Sequence, residues 1–175
     1  KIIPVDGVPT GGGGGVIQVV EEGTTTEAII TNTTASSPSQ IFSATITPKF
    51  STSKIKIELN IFAYHENYHD GHIGLFKGSA STVITGASQG SYSDVSSIML
   101  RQGSFEDQSG DYQCNPTYYS YLDTAGTTSA ITYNIKGLTS NSSYPTYINR
   151  SLSRGQSNSN FPKLRSTLTL TEYSA

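Results

Sequence analysis

Three histidines lie within one eight-residue stretch, His65-Glu66-Asn67-Tyr68-His69-Asp70-Gly71-His72, and the chain has no others. Imidazole and carboxylate are good ligands for first-row metals, so His65, His69 and His72 are the only metal candidates. A site shared around a three-fold axis would suit them. The spacing His65-x3-His69 misses the His-Glu-x-x-His pattern of zinc hydrolases by one residue, and the surrounding sequence reads as strand and loop rather than helix. The favoured reading is a polar apical loop closed by an Asp70-Gly71 turn, with Tyr64, His65, Tyr68, His69 and Asp70 open to a ligand. No resident metal or cofactor is expected.

Three further groups could do chemistry. Cys114 is the single cysteine. It can form no internal disulfide or zinc cage, and its setting, Gln113-Cys114-Asn115-Pro116, supplies neither a base nor a helix N-terminus to activate the thiol. Glu106, Asp107 and Asp111 fall in one Gly/Ser-rich stretch. Paired carboxylates hydrolyse glycosidic bonds when held about 5–10 Å apart, but acids in such a stretch read as solvated turn residues. Tyrosines 112, 118, 119, 121, 144 and 147 cluster late in the chain. Tyrosine offers contact area and a hydroxyl at low entropic cost. Tyr118 and Tyr119 are therefore glycan-stacking candidates, whereas alternation places Tyr119 and Tyr121 together for core or subunit packing. No set of residues identifies an enzyme.

The elements that must carry these groups are strands. Ser and Thr make up more than a quarter of the 175 residues, tyrosine is frequent and tryptophan is absent. Helix-forming Leu/Ala/Glu/Lys stretches are missing, while Thr, Tyr, Val and Ile suit half-buried strands. Residues 1–15 read as a connector: Pro4, Pro9 and five consecutive glycines forbid a helix. The glycine run lacks the Lys-Ser/Thr of a phosphate loop. One domain is expected over 16–175.

Within it, strands are predicted over 16–22, 25–31, 40–47, 54–64, 72–76, 81–85, 96–102, 118–122, 130–136, 147–150 and 166–172, with 72–76 and 81–85 as a hairpin across Lys77-Gly78-Ser79-Ala80. In 40–47, Phe42, Ala44 and Ile46 face one way, and Ile41, Ser43, Thr45 and Thr47 the other. In 54–64, Ile55, Ile57, Leu59, Ile61 and Ala63 share a face. Phe62 and Tyr64 break the polar side of that strand, which marks them, with Tyr121, as candidates for a contact between subunits. The count and spacing predict an all-β, jelly-roll-like β-sandwich.

Charged residues are 14% of the chain and the net charge is −2, so nucleic acid finds no basic stripe. No run of about 18 apolar residues suits a membrane span, and no signal-peptide pattern is read. A chain beginning at Lys1 is expected to be the ordered part of a longer polypeptide. Its single cysteine fits synthesis in a reducing cytoplasm. Three sequons, at Asn32, Asn141 and Asn149, are expected to go unused.

Several stretches occur together in order: Ser43-Ala44-Thr45-Ile46-Thr47-Pro48, Thr52-Ser53-Lys54-Ile55, Gly74-Leu75-Phe76-Lys77-Gly78-Ser79, Ser120-Tyr121-Leu122-Asp123, Thr127-Thr128-Ser129-Ala130, Thr132-Tyr133-Asn134-Ile135-Lys136 and Thr167-Leu168-Thr169-Leu170-Thr171-Glu172. Over residues 11–175 this set resembles a C-terminal domain of tail-fibre and other virion structural proteins of phages, including marine and cyanobacterial ones. Thr171 and Tyr173 stand where that family tends to have Met and Ile. The resemblance implies a homotrimeric β-sandwich in a virion appendage, assembled in the host cytoplasm beside other tail proteins. It also implies attachment to a bacterial surface glycan or protein, and carries no catalytic residues. The alternatives are an architectural neck, capsid or tail knob without a ligand, and a carbohydrate-binding module.

Overall fold

The computed structural model describes residues 15–65, 70–80, 83–84, 97–101, 114–150 and 164–175. Ten strands run through them: β1 (Val16–Thr24), β2 (Ala28–Ile30), β3 (Ser39–Ile46), β4 (Lys54–His65), β5 (Asp70–Lys77), β6 (Ile98–Arg101), β7 (Asn115–Thr124), β8 (Ile131–Thr139), β9 (Thr146–Ile148) and β10 (Ser166–Tyr173). They form two antiparallel sheets, consistent with a β-sandwich. No helix among the described residues is long and apolar enough to cross a membrane.

The first sheet is organised by β4. One edge of β4 pairs with β7 from Lys54 to Ala63. The other edge pairs with β10 up to Asn60 and then with β9 from Ala63. β1 extends the sheet beyond β10, and β2 extends it beyond β9. The second sheet has the order β3-β8-β5-β6. The alternation read in β4 is its burial pattern: Ile55, Ile57, Leu59, Ile61 and Ala63 are all buried in the main core. They meet Leu168 and Leu170 from β10, and Ile73, Leu75, Tyr133 and Ile135 from the second sheet. Ala44 and Ile46 of β3 enter the same core, and Phe42 packs against it. A fully buried Leu or Ile contributes roughly 1.5–3 kcal/mol by burial, so this core is the main cohesive term.

β5 does not alternate. Its residues from Gly71 to Phe76 are all buried, because the second sheet is covered on its outer side too. There Phe76, Val83 and Leu138 form a second cluster with Ala35 against it, and the Lys136 ammonium lies 4.7 Å from the Phe76 ring centroid. This corrects the hairpin expected between 72–76 and 81–85. The turn exists, with Ala80 N donating to Lys77 O and Gly78 at φ 58°, but Val83 and Ile84 are not strand. Residues 81, 82 and 85 of that expected strand lie outside the described residues; of the two described, Ile84 donates its amide to Leu75 O, and the strands paired with β5 are β8 and β6. Val83 instead lids Phe76, a tertiary role that local alternation does not encode.

A second correction concerns Asp70 and Gly71. They are strand residues, paired with Arg101 and Leu100 of β6, and Gly71 also with Thr139 of β8. β4 and β5 belong to different sheets, so they do not pair as a hairpin. The connector read over 1–15 lies, except for Gly15, outside the described residues.

Candidate functional site

The histidine stretch divides. His65 ends β4 and is buried, with Nδ1 2.9 Å from Thr146 Oγ1. Gly71 lies against this pair, since a Cβ there would collide with Thr146 Oγ1 and His65 Nδ1. His72 follows Gly71 in β5 and so occupies the opposite face of that strand. His65 and His72 therefore do not converge on one point. Burial holds the His72 imidazole below its ordinary pKa, and the Asp70 carboxylate opposes that effect. His69, Tyr68 and Glu66 lie outside the described residues, as do Glu106, Asp107, Asp111 and Tyr112. Among the described residues, no group of three His, Cys, Asp or Glu side chains could hold a metal ion.

The tyrosines also separate. Tyr119 and Tyr121 pair with Leu59 and Ile57 of β4 and pack against the core. Tyr118 and Leu122 point the other way and are 61% and 57% exposed. Tyr118 and Tyr119 thus cannot form one stacking platform. Tyr118 OH donates to Glu58 Oε1 at 2.7 Å, and Lys56 Nζ sits 2.8 Å from the same oxygen. The hydrogen bond from Lys56 and then that from Tyr118 hold the Glu58 carboxyl below its usual range. Tyr64 is covered within its own chain: its ring centroid lies 6.0 Å from that of Tyr147, and the Arg150 guanidinium stands over Tyr147. Phe62 remains half-buried on the outward face. Burial pushes the Cys114 thiol up to about 11, against an opposing hydrogen bond from the Arg150 backbone, so it is protonated at neutral pH.

Polar groups form three cross-braces between the strands. In the first, the fully buried Glu172 of β10 accepts hydrogen bonds from Gln18 Nε2 of β1 and from Lys49 N at 2.7 Å in the β3–β4 turn. Gln18 also donates to Thr47 O. Burial alone would raise the Glu172 pKa. The nearby Ser53 hydroxyl (outside strict hydrogen-bond geometry), the Gln18 amide and the Lys49 and Phe50 amides outweigh it and hold the carboxyl below its usual range. In the second, Asp123 Oδ2 of β7 meets Lys77 Nζ and Tyr133 OH, each at 2.7 Å, from β5 and β8. Burial first, and then Asp123, push the Tyr133 phenol far up.

The third brace centres on Asn149, just after β9, at φ 57°. Its Nδ2 donates to Thr24 O and Thr26 O at 3.0 and 3.1 Å, and its Oδ1 accepts from Ser166 Oγ at 2.7 Å. Ser166 Oγ in turn accepts from Phe62 N, and Asn149 N donates to Phe62 O. The Asn149 side chain is thus an internal joint.

Sequence reasoning gave these three residues no bracing role. Glu172 carried a signal: Ser166, Leu168, Leu170 and Glu172 share the inward phase of one strand, so its charge falls on an apolar face. Asn149 and Asp123 carried none, because their partners are 17 to 125 positions away in the first case and in a different sheet in the second. No family model matches the chain, and no curated protein matches it.

Proposed function

We propose that the chain is a non-enzymatic, homotrimeric jelly-roll domain of a phage tail fibre or other virion appendage, with a bacterial surface glycan or protein as its outside partner. One observation carries the reading. Among the described residues, the buried carboxylate of Glu172, the partly buried carboxylate of Asp123 and the buried amide of Asn149 are taken up in joining strands and turns. Such polar braces make a shell rigid and shape-specific, which suits a part that must transmit contact rather than transform a substrate.

The strand order supports the fold half of the reading. The order β1-β10-β4-β7 in one sheet and β3-β8-β5-β6 in the other, with β2 and β9 as an added short pair, is the observation in favour of a double Greek-key jelly roll. The ordered set of Ser/Thr-rich stretches supports the virion half by resemblance. Phe62, half-buried on the outward face, is the proposed subunit-contact residue.

A purely architectural knob is the second reading. It is favoured by the inward placement of Tyr119 and Tyr121 and by the burial of Tyr64, Tyr133 and Tyr147. Binding of the fluorescent chain to a panel of bacterial strains separates the two. Retention on a subset of strains, with periodate sensitivity marking a glycan, is expected for attachment. Uniform failure to bind would leave the architectural role.

A further inference from the structure

We infer that the edge of β7 that no described strand covers is a docking site for the β7 of a second copy of this chain, paired antiparallel about a two-fold axis at Ser120. Exposed sheet edges are normally blunted by bulges, charges or brevity. Among the described edge strands, β1 has a register shift between Val16 and Gln18 and carries Glu21 and Glu22. β3 has a shift between Gln40 and Phe42. β2 and β6 are three and four residues long. β7 lacks these guards over its middle: its ten residues keep unbroken register with β4, and Tyr118-Tyr119-Ser120-Tyr121-Leu122 is uncharged, with Pro116 and Asp123 towards the ends.

The backbone fixes which groups are open. Phe62 of β4 turns its N–H to Ser166 Oγ and its C=O to Asn149 N, both on the edge away from β7. Its partner Pro116 therefore sits at a non-hydrogen-bonded pair, with its backbone directed to the edge away from β4. Alternation sends the groups of Tyr118, Ser120, Leu122 and Thr124 the same way. Both ends are closed. Pro116 has no N–H, and Thr124 has its N–H on Asp123 Oδ1 and its C=O on Lys77 Nζ. The open patch is the backbone of Tyr118, Ser120 and Leu122.

That patch is self-complementary. A two-fold axis at Ser120 sets Ser120 opposite Ser120 and Tyr118 opposite Leu122 in both directions, as an isologous contact requires. It covers two large side chains that are 61% and 57% exposed with an aromatic–aliphatic cross-strand pair.

The pairing does not depend on the trimer proposed above, and one experiment separates them. Absolute mass of the full chain by light scattering, diluted from about 1 mM, is expected to show two copies, or two trimers joined as six. Ser120→Lys is expected to weaken that association at least about tenfold, by placing like charges opposite each other, with the melting temperature unchanged at dilutions where neither protein pairs. One copy, or three, at the highest concentration would overturn the pairing; three would leave the trimer standing, and two would sustain the pairing and remove the trimer. An even-numbered assembly untouched by Ser120→Lys would also overturn it. If Ser120→Lys does not fold, Leu122→Lys in the same exposed patch carries the same expectations.

Discussion

Glu172→Ala is expected to lower stability by about 3–4 kcal/mol at neutral pH, the combined effect of losing hydrogen bonds to a charged group and leaving buried donors unmade. The carboxylate draws Gln18 of β1 and the Lys49 amide of the β3–β4 turn onto β10. Without it, those donors face a cavity next to Ile55, its partner on β4. Glu172→Gln keeps the volume and should cost about 2 kcal/mol, because an amide offers one acceptor in place of two. The pH dependence separates charge from shape. The folded pKa of Glu172 lies below its ordinary 4.5. Its contribution is therefore complete above about pH 4.5 and lost as pH falls through the folded value. Urea unfolding at several pH values should show the gap between wild type and Glu172→Gln shrinking over that window. A gap independent of pH would mean that the ionised form is not what braces the turn.

Asn149→Ala is expected to cost about 3 kcal/mol and to lower the melting temperature by roughly 10 °C. Two effects add. The side chain leaves Thr24 O, Thr26 O and Ser166 Oγ without their partner, which releases the β1–β2 connection from β9. The backbone at φ 57° is also a conformation that costs alanine about 1 kcal/mol more than asparagine or glycine. Asn149→Gly removes the first effect's bonds without adding the second, and should be about 1 kcal/mol milder. Equal losses for the two variants would assign the whole effect to the hydrogen bonds. Ser166→Ala should reproduce part of the loss, since its hydroxyl links Phe62 N to Asn149.

The sheets were legible where one face meets the core and the other meets water. The inward phase of β4 from Ile55 to Ala63 and that of β3 from Phe42 to Ile46 follow from alternation alone. The reading failed where both faces are covered. β5 is buried from Gly71 to Phe76 under Val83 and the 4.7 Å Lys136–Phe76 contact, so its pattern says nothing about its neighbours. Asp70-Gly71 has the composition of a turn, yet Gly71 is a strand residue whose missing side chain makes room for Thr146 and His65. Proximity in sequence likewise suggested a histidine cluster, while period-two geometry sets His65 and His72 apart. The braces at Asp123 and Asn149 depend on which strands become neighbours across the sandwich, information that no local window holds.

The most direct test of the structural-module account is the number of chains per particle in solution, from light scattering after size exclusion of the full chain. The account predicts a stable assembly built in threes that persists on dilution. A clean single chain at every concentration would contradict it and move the weight to an independent carbohydrate-binding domain.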